Sequence, residues 1–373
     1  MKIGIVCYPT YGGSGVVASE LGIELARRGH EVHFISYEIP FKINKFYKNI
    51  FFHEVEVIEY PLFKYPPYSL SLSVKMAEIY ESSKLDVVHV HYAIPHAASA
   101  YLTKTILGND SRFKFITTLH GTDITIVGNH KSFFKLTKFC IENSDGITCV
   151  SNYLKKLTVD IFDINKNIEV IYNFVDTNKF KRNKFDKQRL NLIKNNELAI
   201  IHISNFRPVK NIKNIIKIFF KVCKEINCKL ILVGDGPELA NAKEMALKLN
   251  LYDKIFFLGR KNNVVPLLNS SNLYLLPSES ESFGVSALEA LSCEVPVVGT
   301  NVGGLKEFVK NGECGYLYDP NDIESLSDAC ISILGNPNLM EKMAFEARKT
   351  ALNFDKKIII PQYINYYKKI INS

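Results

Sequence analysis

Short apolar runs alternate with amphipathic segments along almost the whole chain. "KIGIVCY" (2–8), "EVHFIS" (31–36) and "DVVHVHY" (86–92) are rich in β-branched residues, and stretches with helical periodicity separate them. Continuous apolar strands that alternate with helices are typical of a parallel sheet covered on both faces. The pattern therefore predicts an α/β protein built on doubly wound sheets.

The strand–helix series starts again after the polar stretch 179–196, which is rich in Lys and Asn and is interpreted as a solvated surface at a domain boundary. "LAIIHISNF" (198–206) opens the second series. The chain therefore predicts two Rossmann-like domains, 1–175 and 180–350, facing across a cleft. The amphipathic segment ~355–373 is expected to pack back on the first domain, with a simple C-terminal cap as the alternative.

Composition suits a cytoplasmic protein. The 373 residues are 47% hydrophobic and 23% charged, which provides ample apolar surface for two cores. No apolar run approaches the ~20 residues that span a bilayer, and the N-terminus does not resemble a secretory signal. The eight cysteines form no C-x-x-C pair, which favours reduced thiols over zinc or redox chemistry.

The formal net charge of +8 comes from dispersed Lys and Arg rather than from a dense patch. This distribution predicts no nucleic-acid partner and no membrane insertion, and it suits an enzyme that handles anionic small molecules. The sequence leaves the oligomeric state open, including a homo-oligomer.

The glycine-rich loop "YPTYGGSG" (8–15) lies between the first strand and the first helix. Its glycines permit close backbone approach, and the helix N-terminus offers N–H groups to an anion. The spacing is not G-x-G-x-x-G, so dinucleotide binding is the less favoured alternative. A tight turn without a ligand also remains open.

Histidines cluster in "HVHYAIPHA" (89–97) and "TTLHGTD" (117–123). A His-x-His pair on a strand could ligate zinc, but no acidic or Cys partner stands at a recognisable spacing. His89 and His96 are therefore predicted to be core residues. Tyr92, His120 and Thr122 are better placed to meet a ligand.

Cations and carboxylates follow the strands of the second half. Arg207 and Lys210 in "SNFRPVKN" could neutralise a phosphate. "ESFGVSALEAL" opens a helix whose free N–H groups suit a diphosphate. Glu281 and Glu289 could accept hydrogen bonds from a sugar and a ribose; alternatively, Glu281 caps the helix and Glu289 is solvated.

The stretch "ESFGVSALEAL" resembles the E-x7-E motif of the retaining glycosyltransferases with the GT-B fold, which use nucleotide sugars. "VPVVGTNVGGLKEFV" and "GYLYDPND" resemble the segments that follow it in that family. "CYPTYGGSGVVASELG", "FKYPPYSL", "HVHYAIPHA", "TTLHGTDIT", "IYNFVD" and "HISNFRPVKN" resemble the N-acetylglucosaminyl L-malate synthases of the bacillithiol pathway. The resemblance covers nearly all the chain.

This resemblance implies that UDP-N-acetylglucosamine (UDP-GlcNAc) and L-malate are the substrates, with no cofactor and no metal. His120 would line the reaction centre, Glu281 would hold the sugar, and Lys210 with Arg207 would hold the diphosphate. Many relatives carry Gly-Arg where this chain has Ser204-Asn205, so Arg207 is expected to supply that charge. The other implied donor-binding residues are Gly13, Asn205, Gly259, Arg260, Ser282, Phe283, Gly284, Val285 and Glu289. The implied acceptor-binding residues are Ser14, Lys64, Tyr92, Thr122 and Asn173.

The implied mechanism is a front-face transfer with retention, in which cations and the helix N-terminus stabilise the departing diphosphate. Two alternatives remain. One keeps the fold and transfers sugar to a glycolipid or polysaccharide at a membrane surface. The other is a UDP-GlcNAc epimerase or a non-catalytic binder.

Overall fold

The computed structural model describes residues 1–10, 12–108, 111–183, 192–194 and 197–373. Tyr11 of the first loop and much of the predicted boundary stretch, 184–191 and 195–196, lie outside the described residues. The chain divides into two compact units. Unit 1 comprises Met1–Asn173 with Lys357–Ser373, and unit 2 comprises Phe174–Lys356.

Unit 1 contains a parallel sheet of seven strands in the order β3-β2-β1-β4-β5-β6-β7. The sequence winds away from β1 in both directions, so the strand order reverses between β1 and β4, where ligands bind in such sheets. The register places Ile5 opposite Phe34 on one side and His89 on the other. The strands are β1 (Lys2–Val6), β2 (Glu31–Ser36), β3 (Ile50–Glu54), β4 (Val87–His91), β5 (Phe115–Leu119), β6 (Gly146–Cys149) and β7 (Glu169–Val170).

Helices cover both faces of this sheet, and the central strands β4, β5 and β6 are buried throughout. The edge strand β3 is only half-buried, so its sequence does not read as a continuous apolar run. The described helices of this part are α1 (Gly13–Arg27), α2 (Tyr68–Ser83), α3 (Ala98–Leu107), α4 (Thr122–Thr125), α5 (Phe134–Asn143) and α6 (Asn152–Phe162).

Unit 2 repeats the plan with a parallel sheet of six strands in the order β10-β9-β8-β11-β12-β13. Its order reverses between β8 and β11. The strands are β8 (Leu198–Ile203), β9 (Cys228–Val233), β10 (Ile255–Phe257), β11 (Leu273–Leu276), β12 (Val297–Thr300) and β13 (Gly315–Tyr318). The helices are α7 (Ile212–Glu225), α8 (Leu239–Lys248), α9 (Val265–Asn269), α10 (Val285–Ser292), α11 (Ile323–Leu334) and α12 (Pro337–Leu352).

The last helix, α13 (Lys356–Ile371), packs against the sheet of unit 1. Its Tyr367 hydroxyl lies 2.8 Å from His89 Nδ1, and its Tyr366 hydroxyl accepts the Ile147 N–H at 2.9 Å. Within the described residues, no helix has the length and apolarity needed to cross a bilayer. The predicted fold class, two doubly wound Rossmann-like domains, is confirmed.

Candidate active site

In unit 1, two hydroxyl groups meet at the point where the strand order reverses. Ser14 lies in the first turn of α1, directly after the loop that follows β1. Tyr92 follows β4. The Ser14 Oγ and Tyr92 Oη atoms are 2.6 Å apart. The sheet topology therefore brings together two predicted acceptor-binding residues that are distant in sequence.

Tyr92 has an unusual backbone conformation, with φ 85° and ψ 134°. Such a conformation costs a non-glycine residue about 1–3 kcal/mol and persists only where the surroundings hold it. The ring of Tyr92 lies 5.5 Å from that of Tyr8 and 5.2 Å from that of His120. The pKa of Tyr8 is raised to about 12, mainly because the side chain is buried and to a lesser extent because Tyr92 is close to it.

His120 follows β5, and its Nε2 lies 2.8 Å from Nδ1 of His91 on the neighbouring strand β4. Burial lowers the pKa of His120 to about 3 and that of His91 well below its usual value. Both rings are therefore neutral near pH 7, and a single proton lies between them. His91 Nε2 has no partner among the described residues.

Asp123 is buried below these turns and accepts three backbone N–H bonds. Its Oδ2 accepts from Ala93 at 3.1 Å, and its Oδ1 accepts from His120 at 3.1 Å and from Gly121 at 2.8 Å. Burial raises the pKa of the Asp123 carboxyl to about 6, although these amides oppose the shift. Asp123 thus joins the turn after β4 to the turn after β5.

The other predicted acceptor residues have varied surroundings. Thr122 is half-buried at the start of α4, and Asn173 is buried. Lys64 is exposed, with its Nζ 5.5 Å from the centre of the Tyr65 ring. His89 and His96 are fully buried, which confirms their prediction as core residues.

In unit 2, the predicted sugar-binding carboxylate and phosphate-binding amine are paired. Lys210 Nζ lies 2.6 Å from Glu281 Oε1, and the Ser278 hydroxyl donates to the same oxygen at 2.8 Å. Glu281 is 8% exposed and Ser278 is fully buried. The carboxylate is therefore held by two donors, although it lies in a loop.

Backbone hydrogen bonds hold the loop around Glu281 in place. The Glu281 carbonyl accepts the Gly304 N–H at 2.9 Å, and the Glu279 N–H is donated to the Val209 carbonyl at 2.9 Å. Gly303 has φ 61°, and a Cβ there would lie 1.7 Å from the Glu281 carbonyl oxygen, so only glycine fits. These contacts hold the Glu281 loop beside the Pro208–Lys210 turn.

The helix α10 begins beside this pair. Gly284 precedes it with φ 99°, and the amides of Ala287 and Leu288 both donate to the Gly284 carbonyl. The amides of Val285 and Ser286 stand ahead of that ladder, where a helix offers N–H groups to an anion. Glu289 is half-buried further along the helix.

The ring of Phe283 is buried against Phe308 and Phe354, at centroid distances of 5.1 and 5.7 Å. The ring of Phe283 therefore belongs to the packed interior of unit 2. Ser282 is half-buried next to it.

Four further predicted donor residues follow strands of the unit 2 sheet. Asn205 and Arg207 are exposed after β8. Gly259 and Arg260 follow β10, where Arg260 Nη2 lies 3.6 Å from Asp235 Oδ2. A Cβ on Gly259, and equally on Gly13 of unit 1, would meet nothing within 4 Å among the described residues.

Sequence reasoning assigned no role to three residues of these clusters: His91, Asp123 and Ser278. Asp123 stands in the "HGTD" motif, where an Asp after a glycine turn is a signal for carboxylate-to-amide bonds. His91 carries no comparable local signal, because its partner His120 follows another strand. Ser278 lies only three residues before its partner Glu281, but a lone Ser in an acidic loop does not indicate that its hydroxyl holds a carboxylate. Within the described residues, no three His, Cys, Asp or Glu side chains cluster so as to hold a metal ion.

Comparison with known proteins agrees with this architecture. The family model for glycosyltransferase family 4 matches residues 11–179, and the model for glycosyl transferases group 1 matches residues 183–350. The chain is 46% identical to the N-acetyl-alpha-D-glucosaminyl L-malate synthase of Bacillus anthracis, over 100% of this chain and 97% of that protein.

Two solved structures share the fold. A glycosyltransferase from Rickettsia africae matches with a TM-score of 0.82 and 25% identity, over 99% of this chain and 98% of that one. Anabaena HepE, solved in complex with UDP and glucose, matches with a TM-score of 0.83 and 19% identity over 99% of both chains. The chain therefore belongs to the glycosyltransferases of the GT-B fold.

Proposed function

We propose that this chain transfers N-acetylglucosamine from UDP-GlcNAc to the hydroxyl of L-malate with retention of configuration, as the first step of bacillithiol biosynthesis. The observation that carries the proposal is the 46% identity, over the whole length of this chain, to the Bacillus anthracis protein named for that synthesis. The site geometry in both units supports it.

The donor is proposed to bind in unit 2, where its diphosphate and sugar would become the partners of Lys210 and Glu281. Lys210 Nζ and Glu281 Oε1 form an ion pair at 2.6 Å. When UDP-GlcNAc binds, Lys210 turns to the diphosphate and Glu281 accepts hydrogen bonds from the sugar hydroxyls. Arg207 and the first amides of α10 add positive potential where negative charge develops on the leaving group.

The acceptor is proposed to bind in unit 1 at the paired hydroxyls of Ser14 and Tyr92, near His120. In the reaction, the bond from the anomeric carbon to the β-phosphate oxygen breaks, and a bond from that carbon to the malate hydroxyl oxygen forms on the same face. The malate proton passes to the leaving phosphate oxygen. The neutral His120 lines this centre without acting as a charged acid.

The test is UDP release from UDP-GlcNAc with L-malate, with succinate and with no acceptor, each repeated in EDTA. Succinate has the two carboxylates but lacks the hydroxyl. We expect release that requires malate and survives EDTA, and an α-linked product by the anomeric proton coupling in NMR. Release that is equal with succinate would contradict malate transfer, and loss in EDTA would contradict a metal-independent reaction.

A glycolipid acceptor is the second candidate, and one observation favours it. Unit 1 exposes large apolar side chains in its loops, among them Phe46, Leu62 and Tyr65, which are 91%, 80% and 75% exposed. Exposed aromatic residues near lysines suit the surface of a membrane. Sedimentation with lipid vesicles, and UDP release that depends on lipid and ignores malate, would establish this alternative.

A further inference from the structure

The carboxylate of Asp123 stands at the junction of two turns that carry proposed site residues. Tyr92 and Ala93 follow β4, and His120 and Gly121 follow β5. The two turns are 28 residues apart in sequence, counted from Tyr92 to His120. Asp123 bonds to both of them through backbone amides.

The strained conformation of Tyr92 is held from both sides. The Tyr92 N–H donates to the Thr118 carbonyl of β5 at 2.9 Å, which fixes the peptide before it. The Ala93 N–H donates to Asp123 Oδ2 at 3.1 Å, which fixes the peptide after it. Because Tyr92 has φ 85°, these two bonds oppose relaxation of its backbone. The direction of its side chain toward Ser14 depends on them.

The turn of His120 is held by the other oxygen. Asp123 Oδ1 accepts the N–H groups of both His120 and Gly121. The conformation of Gly121, with φ 115° and ψ −53°, lies outside the range of other residues. A single carboxylate therefore holds the backbone conformation at both Tyr92 and His120.

We propose that Asp123 is a positioning residue for the transfer reaction: by accepting the amides of Ala93, His120 and Gly121, it holds Tyr92 for the acceptor and His120 at the reaction centre. This inference rests on the proposed function. Asp123 is buried and its oxygens are occupied by these amides, so its proposed role is exerted through the two turns.

Asp123→Asn tests the proposal because an Asn side chain can satisfy only part of this network. Its oxygen can still accept from His120 and Gly121, but its NH₂ group then faces the Ala93 N–H, so two donors oppose each other. The variant therefore releases the Tyr92 turn and keeps the His120 turn. We expect the KM for L-malate to rise about tenfold, while the KM for UDP-GlcNAc stays within about twofold.

Asp145→Asn is the matched control in the same unit. Asp145 Oδ2 accepts the Phe115 N–H at 2.9 Å at the opposite end of β5, and its Oδ1 pairs with Lys104 at 2.8 Å. The control thus removes a comparable clamp from the same strand. If both variants raise the KM for malate equally, or if Asp123→Asn leaves it unchanged in a folded protein, the proposal is overturned.

A measurement on the wild type keeps the proposal testable if Asp123→Asn does not fold. Protonation turns Oδ2 into a donor opposite Ala93, as in the Asn variant, so kcat/KM for malate should fall as the pH drops through about 6. The pKa values of the surrounding titratable groups lie outside that range. They are about 3 for His120, about 4 for His96 and about 12 for Tyr8, and the pKa of His91 lies well below its usual value.

The ionisation of malate is measured separately in the same buffers and removed from the profile. A profile without an acid limb near pH 6 would overturn the proposal. Failure of the proposed function is distinguishable, because the wild-type protein would then show no malate-dependent release of UDP at any pH.

Discussion

Unit 1 and unit 2 place their candidate residues at corresponding positions of two similar sheets but hold them by different forces. In unit 1, buried neutral histidines and a buried carboxylate that binds amides lie next to the half-buried hydroxyls of Ser14 and Tyr92. In unit 2, a Lys–Glu pair stands beside a helix N-terminus and exposed cations. The fold fixes where a site forms, and the loops decide whether it is uncharged or ionic.

The largest expected difference between the units is their response to acid. Unit 1 buries His89, His96 and His120, whose pKa values fall to about 3, 4 and 3, together with His91. In unit 2, His202 is buried, and its pKa falls to about 3.

Histidines with lowered pKa values bind protons mainly in the unfolded state, so their stabilisation is lost as pH falls from about 6.5 toward 3–4. At pH 5 the loss is about 2 kcal/mol for each buried imidazole. Asp123 acts in the opposite direction, because its raised pKa means that the folded state binds the proton first as pH falls through about 6. One such carboxyl offsets only part of the loss.

Hydrogen exchange at pH 7.5 and pH 5.0, corrected for intrinsic rates, should therefore show β4 losing protection before β9. The substitution His89→Gln should reduce that difference, whereas a change of the exposed His130 to Gln should not. Earlier opening of unit 2 would contradict the comparison.

The ionic character of unit 2 is tested by Glu281→Gln. The amide keeps an acceptor for the Ser278 hydroxyl but removes the charge that faces Lys210. We expect kcat/KM for UDP-GlcNAc to fall about a hundredfold, because a charged hydrogen bond to the sugar is lost. Glu279→Gln, two residues away and exposed, is the control and should remain close to wild type.

A smaller effect on activity is expected from Gly13→Ala, which tests whether a ligand approaches this position in unit 1. Gly13→Ala adds a methyl group that meets no described atom within 4 Å, so folding should be unaffected. If a substrate approaches Gly13, turnover should fall on the order of tenfold. Gly12→Ala, whose added methyl contacts only Thr10 Oγ1 at 3.6 Å, is the control. Equal activity of the two variants would show that Gly13 does not contact a substrate.

The smallest expected effect concerns the orientation of Glu281. Ser278→Ala removes one of the two donors that hold its carboxylate, so the KM for UDP-GlcNAc should rise about fivefold. Ser271→Ala removes a similarly buried hydroxyl bond, to the Leu267 carbonyl at 2.7 Å, and should leave that KM unchanged. A loss of stability without a change in KM would show that Ser278 supports only the loop.

The sequence allowed the fold class to be predicted because the central strands are buried on both faces and are rich in apolar and β-branched residues. The edge strand Ile50–Glu54 escaped prediction because it is half-exposed and carries polar residues. The helix α13 left two readings open, since amphipathicity shows that one face is buried but does not identify the partner.

The candidate site was less accessible to sequence reasoning. Loops after strands could be located, and Ser14, Tyr92 and His120 lie together in the structure as Lys210 and Glu281 do. The direct pairing of Lys210 with Glu281 could not be foreseen, because the two residues are distant in sequence and the pattern contains no information on side-chain direction. The ligand roles of all these residues remain predictions.

The course of the backbone has a consequence for synthesis on the ribosome. Unit 2 is one continuous segment, whereas unit 1 needs Lys357–Ser373, which emerge after the whole of unit 2. Until then, His89 lacks the Tyr367 hydroxyl and the backbone of Ile147 lacks Tyr366. Unit 1 is therefore completed only after unit 2, although Met1–Asn173 precede unit 2 in the chain. A nascent chain stalled before α13 would present the sheet of unit 1 to chaperones and proteases without this helix.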